Sequence, residues 1–248
     1  MSSHGSVLLV VPALNEERSV GDVVEAGRRF GYEVCVVDDG SVDQTADRAA
    51  AAGAHVLRLP VNLGIGGALR CGFRWAIDNG YDTVVQVDAD GQHDPGQVAV
   101  LLEAQRESGA DMVVGSRFAA GDDHYPVSLG RRIAMRVLSA RVRRVARVRV
   151  LDSSSGFRAI RRPLLDRFAV DYPVEYLDSV EALIQAGRAG ATIVEHPITM
   201  SARAHGRGSA GAIASLWYVV RVLVAIELQH KRRSVPLQLV PTDRGALG

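Results

Sequence analysis

The sequence is poor in lysine, cysteine and long apolar runs, and each shortage narrows what the chain can do. Lys231 is the single lysine among 248 residues, so no Walker loop with its phosphate-gripping lysine can be built and a P-loop NTPase is disfavoured. The two cysteines, Cys35 in a strand-like run and Cys71 in a helical one, supply no disulfide framework, and no pair of histidines has zinc-like spacing with them. A reducing compartment is the expectation. No uncharged apolar stretch is long enough to span a bilayer, and Met1 to Gly5 has no basic segment followed by an apolar core, as a secretory signal would. The expected location is therefore the cytoplasm. A Gly-x-Ser-x-Gly elbow is also missing, which leaves a serine-hydrolase reading without a nucleophile. Net charge is nearly nil: 29 Lys+Arg against 28 Asp+Glu leave +1, so whole-molecule charge does not argue for a nucleic-acid partner.

What is present is the pattern of an ordinary globular protein, 47% hydrophobic and 23% charged, long enough for one large domain. Val7-Leu8-Leu9-Val10-Val11 reads as a central strand ended by Pro12. Further strands are expected at 33–37, 55–59, 83–87 and 111–115, with helices at 15–30, 43–52, 64–79 and 95–107 between them. This alternation predicts a doubly wound, mostly parallel α/β sheet flanked by helices, whose ligands lie beyond the carboxyl ends of the strands. After Gly115 the alternation breaks down. A polar loop at 116–128, an arginine-rich helix at 129–149, a Gly/Ser turn at 152–158, helices near 161–168 and 177–188 and a strand near 192–195 are expected. A mobile loop at 201–209 and an apolar helix at 210–229 follow. The expected organisation is one domain over 1–230, with a ligand-binding half at 6–118, a second half at 119–230 and a disordered polar tail at 231–248.

Three polar clusters carry the chemistry. Asp88-Ala89-Asp90-Gly91-Gln92 follows the fourth strand; residues two apart on an extended chain point the same way, so both carboxylates can serve one hard cation such as Mg²⁺ or Mn²⁺ together with a phosphate. The competing reading is a solvated turn in which Asp94 caps the helix that begins at Pro95. Asp38-Asp39-Gly40-Ser41 ends the second strand and is either a carboxylate site for a ribose or base, or a turn with Asp39 as helix cap. Asn62-Leu63-Gly64-Ile65-Gly66-Gly67 has glycines at the wrong spacing for a dinucleotide fingerprint; Gly66 and Gly67 read as close packing of a helix start against the sheet. His93 reads as a hydrogen-bonded neighbour of the acidic turn. The eight arginines of 129–149 divide between a solvated face and contacts to a diphosphate or an anionic head group. Helix 210–229, followed by His230-Lys231-Arg232-Arg233, reads either as a peripheral membrane contact or as a core or homodimer helix.

Taken in order, Val-Pro-Ala-Leu-Asn-Glu-Glu at 11–17, Asp-Asp-Gly-Ser at 38–41, Asn-Leu-Gly at 62–64, Asp-Ala-Asp-Gly-Gln at 88–92, Gly-Ser-Arg at 115–117 and Ser-Gly-Phe-Arg at 155–158 resemble glycosyltransferase family 2. Within it, the nearest look is to the polyprenyl-phosphate, dolichyl-phosphate-like sugar transferases. The resemblance covers about residues 6–210 and implies a GT-A-type fold, a nucleoside diphosphate sugar donor (UDP or GDP) and an Mg²⁺ or Mn²⁺ cofactor. It assigns Pro12, Ala13, Asn15, Glu16, Asp39, Gly64, Asp88 and Ala89 to the nucleotide. Asp88, Asp90 and Gln92 become metal ligands, and Asp90, Arg117 and Arg203 the catalytic set, with Arg117 of the Gly-Ser-Arg motif falling where an arginine meets donor or acceptor phosphate. Arg203, Gly206 and Ser209 resemble a loop that closes on the donor diphosphate, and Arg131 or Arg132 would approach an acceptor phosphate. Many lipid-linked relatives continue into membrane-spanning helices, and none is expected within these 248 residues. It also has no Glu-Asp pair where a general base would sit; Glu175, Asp178 and Glu181 lie in the region. An ionised phosphate acceptor needs no base. The expected function is inverting transfer to a polyprenyl phosphate at the inner membrane face. The alternatives are a soluble or glycan acceptor, a sugar nucleotidyltransferase, or a non-catalytic nucleotide-sugar binder.

Overall fold

Residues 6–117, 144, 150–173 and 178–200 are described by the structure, a computed structural model. Seven strands form one sheet in the order β3-β2-β1-β4-β6-β5-β7. They are β1 (Val7–Ala13), β2 (Glu33–Asp38), β3 (His55–Arg58), β4 (Thr83–Gln86), β5 (Met112–Ser116), β6 (Arg158–Arg161) and β7 (Ile193–Pro197). The helices are α1 (Val20–Arg29), α2 (Thr45–Ala51), α3 (Ile65–Asp78), α4 (Val98–Ser108), α5 (Leu164–Asp171) and α6 (Asp178–Arg188). Only β6 is antiparallel to its neighbours.

The continuous apolar run of β1 follows from its central place, with both faces covered. Leu8 and Val10 join one core with Cys35, Val37, Phe73 and Leu164, while Leu9 and Val11 join a second core with Val34, Val36, Leu101 and Phe157. At about 25 cal/mol per Å² of apolar surface removed from water, burial on both faces stabilises β1 in the middle of the sheet. Helix α3 can lie close over the first core because Gly72 has no side chain: a Cβ there would stand 2.5 Å from Val10 Cγ1. Gly67, expected to serve that purpose, instead faces Leu63 of the preceding loop, with its added Cβ 2.5 Å from Leu63 Cβ. The glycine that admits the sheet is therefore Gly72, five residues beyond Gly67.

Two further readings are corrected. The first helix begins at Val20 rather than Asn15, because the backbone N–H groups of Asn15, Glu16 and Glu17 bond to Ser41, Thr45 and Asp43 of the next loop. The segment 158–161, read as the end of a turn and the start of a helix, is the antiparallel strand β6 between β4 and β5. Among the described residues no helix is long and apolar enough to cross a membrane.

Candidate nucleotide and metal site

The polar loops following β1, β2 and β4 meet at the carboxyl ends of these strands, where a doubly wound sheet opens a crevice. The first loop is braced from within. Asn15 adopts a left-handed backbone (φ 55°), its N–H donates to Ser41 Oγ at 2.9 Å and its Oδ1 accepts the Val42 N–H at 3.0 Å. Asparagine tolerates this conformation better than most residues and carries the acceptor as well. The Glu16 carboxylate takes the Ser19 hydroxyl at 2.9 Å. Pro12 and Ala13 lie in register with Val37 and Asp38, and the Asp39 N–H continues that pairing to the Ala13 carbonyl at 2.9 Å.

Asp39 is not a helix cap. Its Oδ1 accepts the Leu63 N–H at 2.7 Å, so a carboxylate only 3% exposed pins the Asn-Leu-Gly loop to the end of β2. Asp38 closes the turn instead, accepting the Ser41 N–H at 3.1 Å. Gly40 combines a φ of 75° with a backbone neighbour so close that a Cβ would stand 3.0 Å from Asn62 N; both requirements select glycine. Gly64 heads α3, its N–H held by Asn62 Oδ1 at 2.8 Å. Of the residues assigned to the nucleotide, Pro12, Ala13, Asn15, Glu16, Asp39 and Gly64 thus lie on three interlocked segments, while Asp88 and Ala89 lie on the turn after β4.

Strand β4 ends at Gln86, one residue earlier than expected, although the Val87 N–H still pairs with the Val10 carbonyl at 3.0 Å. Val87 and Ala89 are buried in the second core, which leaves Asp88 on the opposite side. Asp90 falls in the turn itself rather than on extended chain, and its Oδ1 accepts the Gln92 N–H at 3.0 Å. The capping interpretation of Asp94 holds alongside this: its Oδ1 takes the Gly96 N–H at 2.8 Å, with Pro95 opening a short 3₁₀ turn. Among the described residues no three His, Cys, Asp or Glu side chains gather so as to hold a metal ion. The expected donor set, two carboxylates and the Gln92 amide, is all oxygen, which suits a hard cation that keeps water or phosphate in its remaining positions. The space beside Asp88 is kept open by Gly156, where a Cβ would stand 2.9 Å from Asp88 Oδ1 and 3.2 Å from Oδ2. These residues fit Mg²⁺ or Mn²⁺.

The side of the site beyond β4 was only partly legible. The Arg117 guanidinium, expected at a phosphate, forks onto Asp152 with Nε and Nη2 at 2.7 and 2.8 Å from its oxygens. Glu195 of β7 receives the N–H groups of Leu151 and Asp152, both at 2.7 Å. Arg158, fully buried opposite Gln86, donates to the carbonyls of Ser155 and Ser179 at 2.9 and 2.8 Å. It thereby ties the Ser-Gly-Phe-Arg turn to the start of α6. His93 takes the role expected of it, accepting the Asp88 N–H on Nδ1 at 3.0 Å. Asp152, Glu195 and Gly156 carry no signal of their own in the sequence: Asp152 lies in the Gly/Ser turn and Gly156 in the Ser-Gly-Phe-Arg motif, but their partners are distant along the chain. Of the base candidates, Glu181 is buried. Arg131, Arg132, Arg203, Ser209, Glu175 and the Asp178 side chain lie outside the described residues, as does helix 210–229; of helix 129–149 only Arg144 is described, and it is helical and exposed.

The chain is similar in sequence and fold to known proteins. A model described as Glycosyl transferase family 2 matches residues 8–168. An undecaprenyl-phosphate mannosyltransferase of Micrococcus luteus is 36% identical over 210 residues, covering 81% of this chain and 85% of its own. A polyprenol monophosphomannose synthase of Mycolicibacterium smegmatis is 33% identical over 212 residues, with 80% and 78% covered. Glucosyl-3-phosphoglycerate synthase of Mycobacterium tuberculosis, crystallised with Mn²⁺, UDP and phosphoglyceric acid, superposes with a TM-score of 0.68 at 25% identity, covering 92% of this chain and 79% of that one. The same enzyme with Mg²⁺ and UDP gives 0.67. With residues 8–168 matched by the family model and 81% of its length covered by a named relative 36% identical to it, the chain belongs to glycosyltransferase family 2.

Proposed function

We propose that this protein is a metal-dependent, inverting glycosyltransferase that moves a hexose from a nucleoside diphosphate sugar to a polyprenyl phosphate at the cytoplasmic face of a membrane. The observation that carries the reading is the acidic turn Asp88 to Gln92 at the mouth of the crevice, with Gly156 holding space beside it. It stands in a chain whose relatives at 33–36% identity are named for undecaprenyl phosphate and polyprenol. Asp88, Asp90 and Gln92 would hold Mg²⁺ or Mn²⁺. When bound, the ion supplies positive charge to the departing nucleoside diphosphate. The loops of Pro12, Ala13, Asn15, Glu16, Asp39, Gly64 and Ala89 receive the nucleotide. Arg203 and Ser209 are assigned to the donor diphosphate, and Arg131 and Arg132 to the acceptor phosphate.

The reaction is a single displacement. An oxygen of the acceptor phosphate forms a bond to the anomeric carbon as the bond to the diphosphate oxygen breaks, and the electron pair leaves with the nucleoside diphosphate. The configuration inverts. An acceptor phosphate is already ionised near neutral pH, so no side chain has to take a proton.

A second reading, a soluble phosphorylated acceptor, is favoured by the fold match to an enzyme crystallised with phosphoglyceric acid. One experiment separates the two. UDP- and GDP-linked radiolabelled glucose and mannose are offered with Mn²⁺ and either undecaprenyl phosphate in vesicles or 3-phosphoglycerate. Label in the organic phase, lost with EDTA, supports the lipid reading, and label in an anionic water-soluble product supports the second. Metal-independent transfer, or none to either acceptor, overturns the proposal.

A further inference from the structure

We propose that His93 is a positioning residue that holds the backbone at Asp88, and with it the Asp88 carboxylate, in the arrangement that takes up the divalent ion. The inference rests on the metal reading above and adds a residue outside the oxygen donor set.

The direction of one hydrogen bond is central. The Asp88 N–H donates to His93 Nδ1 at 3.0 Å, so Nδ1 is unprotonated here and the ring proton is on Nε2. The same nitrogen lies 3.6 Å from Asp88 Oδ2. With its lone pair already engaged, this is proximity and not an ion pair, and His93 serves Asp88 through the main chain.

The ring is fixed from several sides. It is 2% exposed and stacks on Phe157 with centroids 5.0 Å apart and planes 15° apart. Phe157 follows Gly156, the residue whose missing Cβ leaves room for the Asp88 carboxylate. The His93 backbone forms an antiparallel bridge with Met200, and the Gln97 side chain pairs with both backbone groups of Thr199, at 2.5 and 2.8 Å. The turn is thus tied at both ends: His93 reaches back to Asp88, while the Asp90 carboxylate takes the Gln92 N–H. The position asks for an acceptor lone pair on a flat, uncharged ring. Phenylalanine would keep the stack without the acceptor, and a carboxylate would place a third negative charge beside Asp88 and Asp90. Groups that orient metal ligands in this manner typically change affinity by about 10- to 100-fold when removed.

The test uses the full-length protein and Mn²⁺ as the probe, with uptake followed by loss of the free-ion electron paramagnetic resonance signal in the presence of UDP or GDP. Asparagine places its Oδ1 near the position of histidine Nδ1, whereas glutamine reaches toward that of Nε2. His93→Phe and His93→Gln are expected to weaken Mn²⁺ binding by about 10-fold or more, and His93→Asn to stay within about threefold of wild type. Metal-free melting curves of each variant report folding separately. If His93→Phe does not fold, the Asn and Gln variants carry the comparison. Equal Mn²⁺ affinity in wild type, His93→Gln and every folded His93→Phe sample overturns the positioning role alone. Wild-type protein that takes up no Mn²⁺ with either nucleotide overturns the metal reading, and the inference with it.

Discussion

Arg117 and Asp152, 35 residues apart, form a two-pronged ion pair between the end of β5 and the turn that precedes β6. Asp152 is 0% exposed and Arg117 only partly so. The Arg117 N–H adds a third bond to Asp152 at 3.2 Å, and its Nη2 also reaches Ser154 Oγ at 2.9 Å. A guanidinium matches a carboxylate in this geometry, and removing one partner strands the other in a low-dielectric setting. Asp152→Asn is expected to cost about 3–5 kcal/mol, lowering the melting temperature by roughly 10 °C. An unchanged melt would mean that the pair does not hold the turn, and would return Arg117 to the phosphate role suggested by the Gly-Ser-Arg motif.

Gly156→Ala adds one methyl group against the acidic turn itself. The new carbon would stand 2.9 Å from Asp88 Oδ1 and 3.1 Å from Gln86 Nε2. Asp88 sits at the mouth of the crevice and can turn away, whereas Gln86 is buried. The stability cost should therefore stay at the lower end of overpacking, about 1–2 kcal/mol. The larger effect should fall on the ion: transfer activity should require a higher Mn²⁺ concentration, with the apparent metal constant raised about 10-fold or more. A titration of activity against Mn²⁺ beside a metal-free melt tests this, and a variant that loses stability without any change in metal dependence would contradict it.

The parts of the molecule that could be read in advance are those whose cause is local. The apolar runs of β1 and β2, the turn glycine at Gly40 and the capped turn at Asp94-Pro95 each follow from neighbouring residues. β6 escaped notice because Arg158-Ala159-Ile160-Arg161 is short and bounded by arginines, and burying Arg158 depends on carbonyls at Ser155 and Ser179 that only the fold supplies. The start of α1 is hidden for the same reason: Asn15, Glu16 and Glu17 form a plausible helix opening, yet their N–H groups find partners at 41–45. Motif order gave the family and the acidic turn. It could not give the commitment of Arg117 to Asp152, since neither residue signals its partner.

Asp43 provides a pH-dependent check on this loop bracing. Burial alone would push its carboxyl upward, but hydrogen bonds from the Thr45 hydroxyl and N–H and from the Glu17 N–H together hold it below the usual carboxylate value. A carboxyl with a lowered folded-state pKa contributes stability that is present above its unfolded value, near 3.9, and is lost as pH falls through the folded-state value. Asp43→Asn keeps an oxygen for Thr45 but does not titrate. The stability difference between wild type and Asp43→Asn should be greatest near neutral pH and shrink as the pH drops from about 5 toward 2. The effect should be small, because the side chain is only half-buried. Denaturant melts across that range decide it, and a difference that grows on acidification would reverse the sign.

Asp90 allows charge to be separated from fold in the metal turn. It is 6% exposed, and its Oδ1 accepts the Gln92 N–H at 3.0 Å. Asp90→Asn retains an oxygen for that bond and so should preserve the turn, while removing one of the two negative charges offered to the ion. Asp90→Ala removes that charge and the acceptor oxygen together. If Asp90 works through charge, the two variants should lose transfer activity alike, by roughly a thousandfold, the scale of a lost charge-stabilising group. They should differ in stability, with only the alanine variant leaving the Gln92 N–H without its partner, at about 1–3 kcal/mol. Should Asp90→Asn instead keep near-normal turnover with Mn²⁺ present, the carboxylate would be a turn-former, and the ion would have to be held without the charge of Asp90.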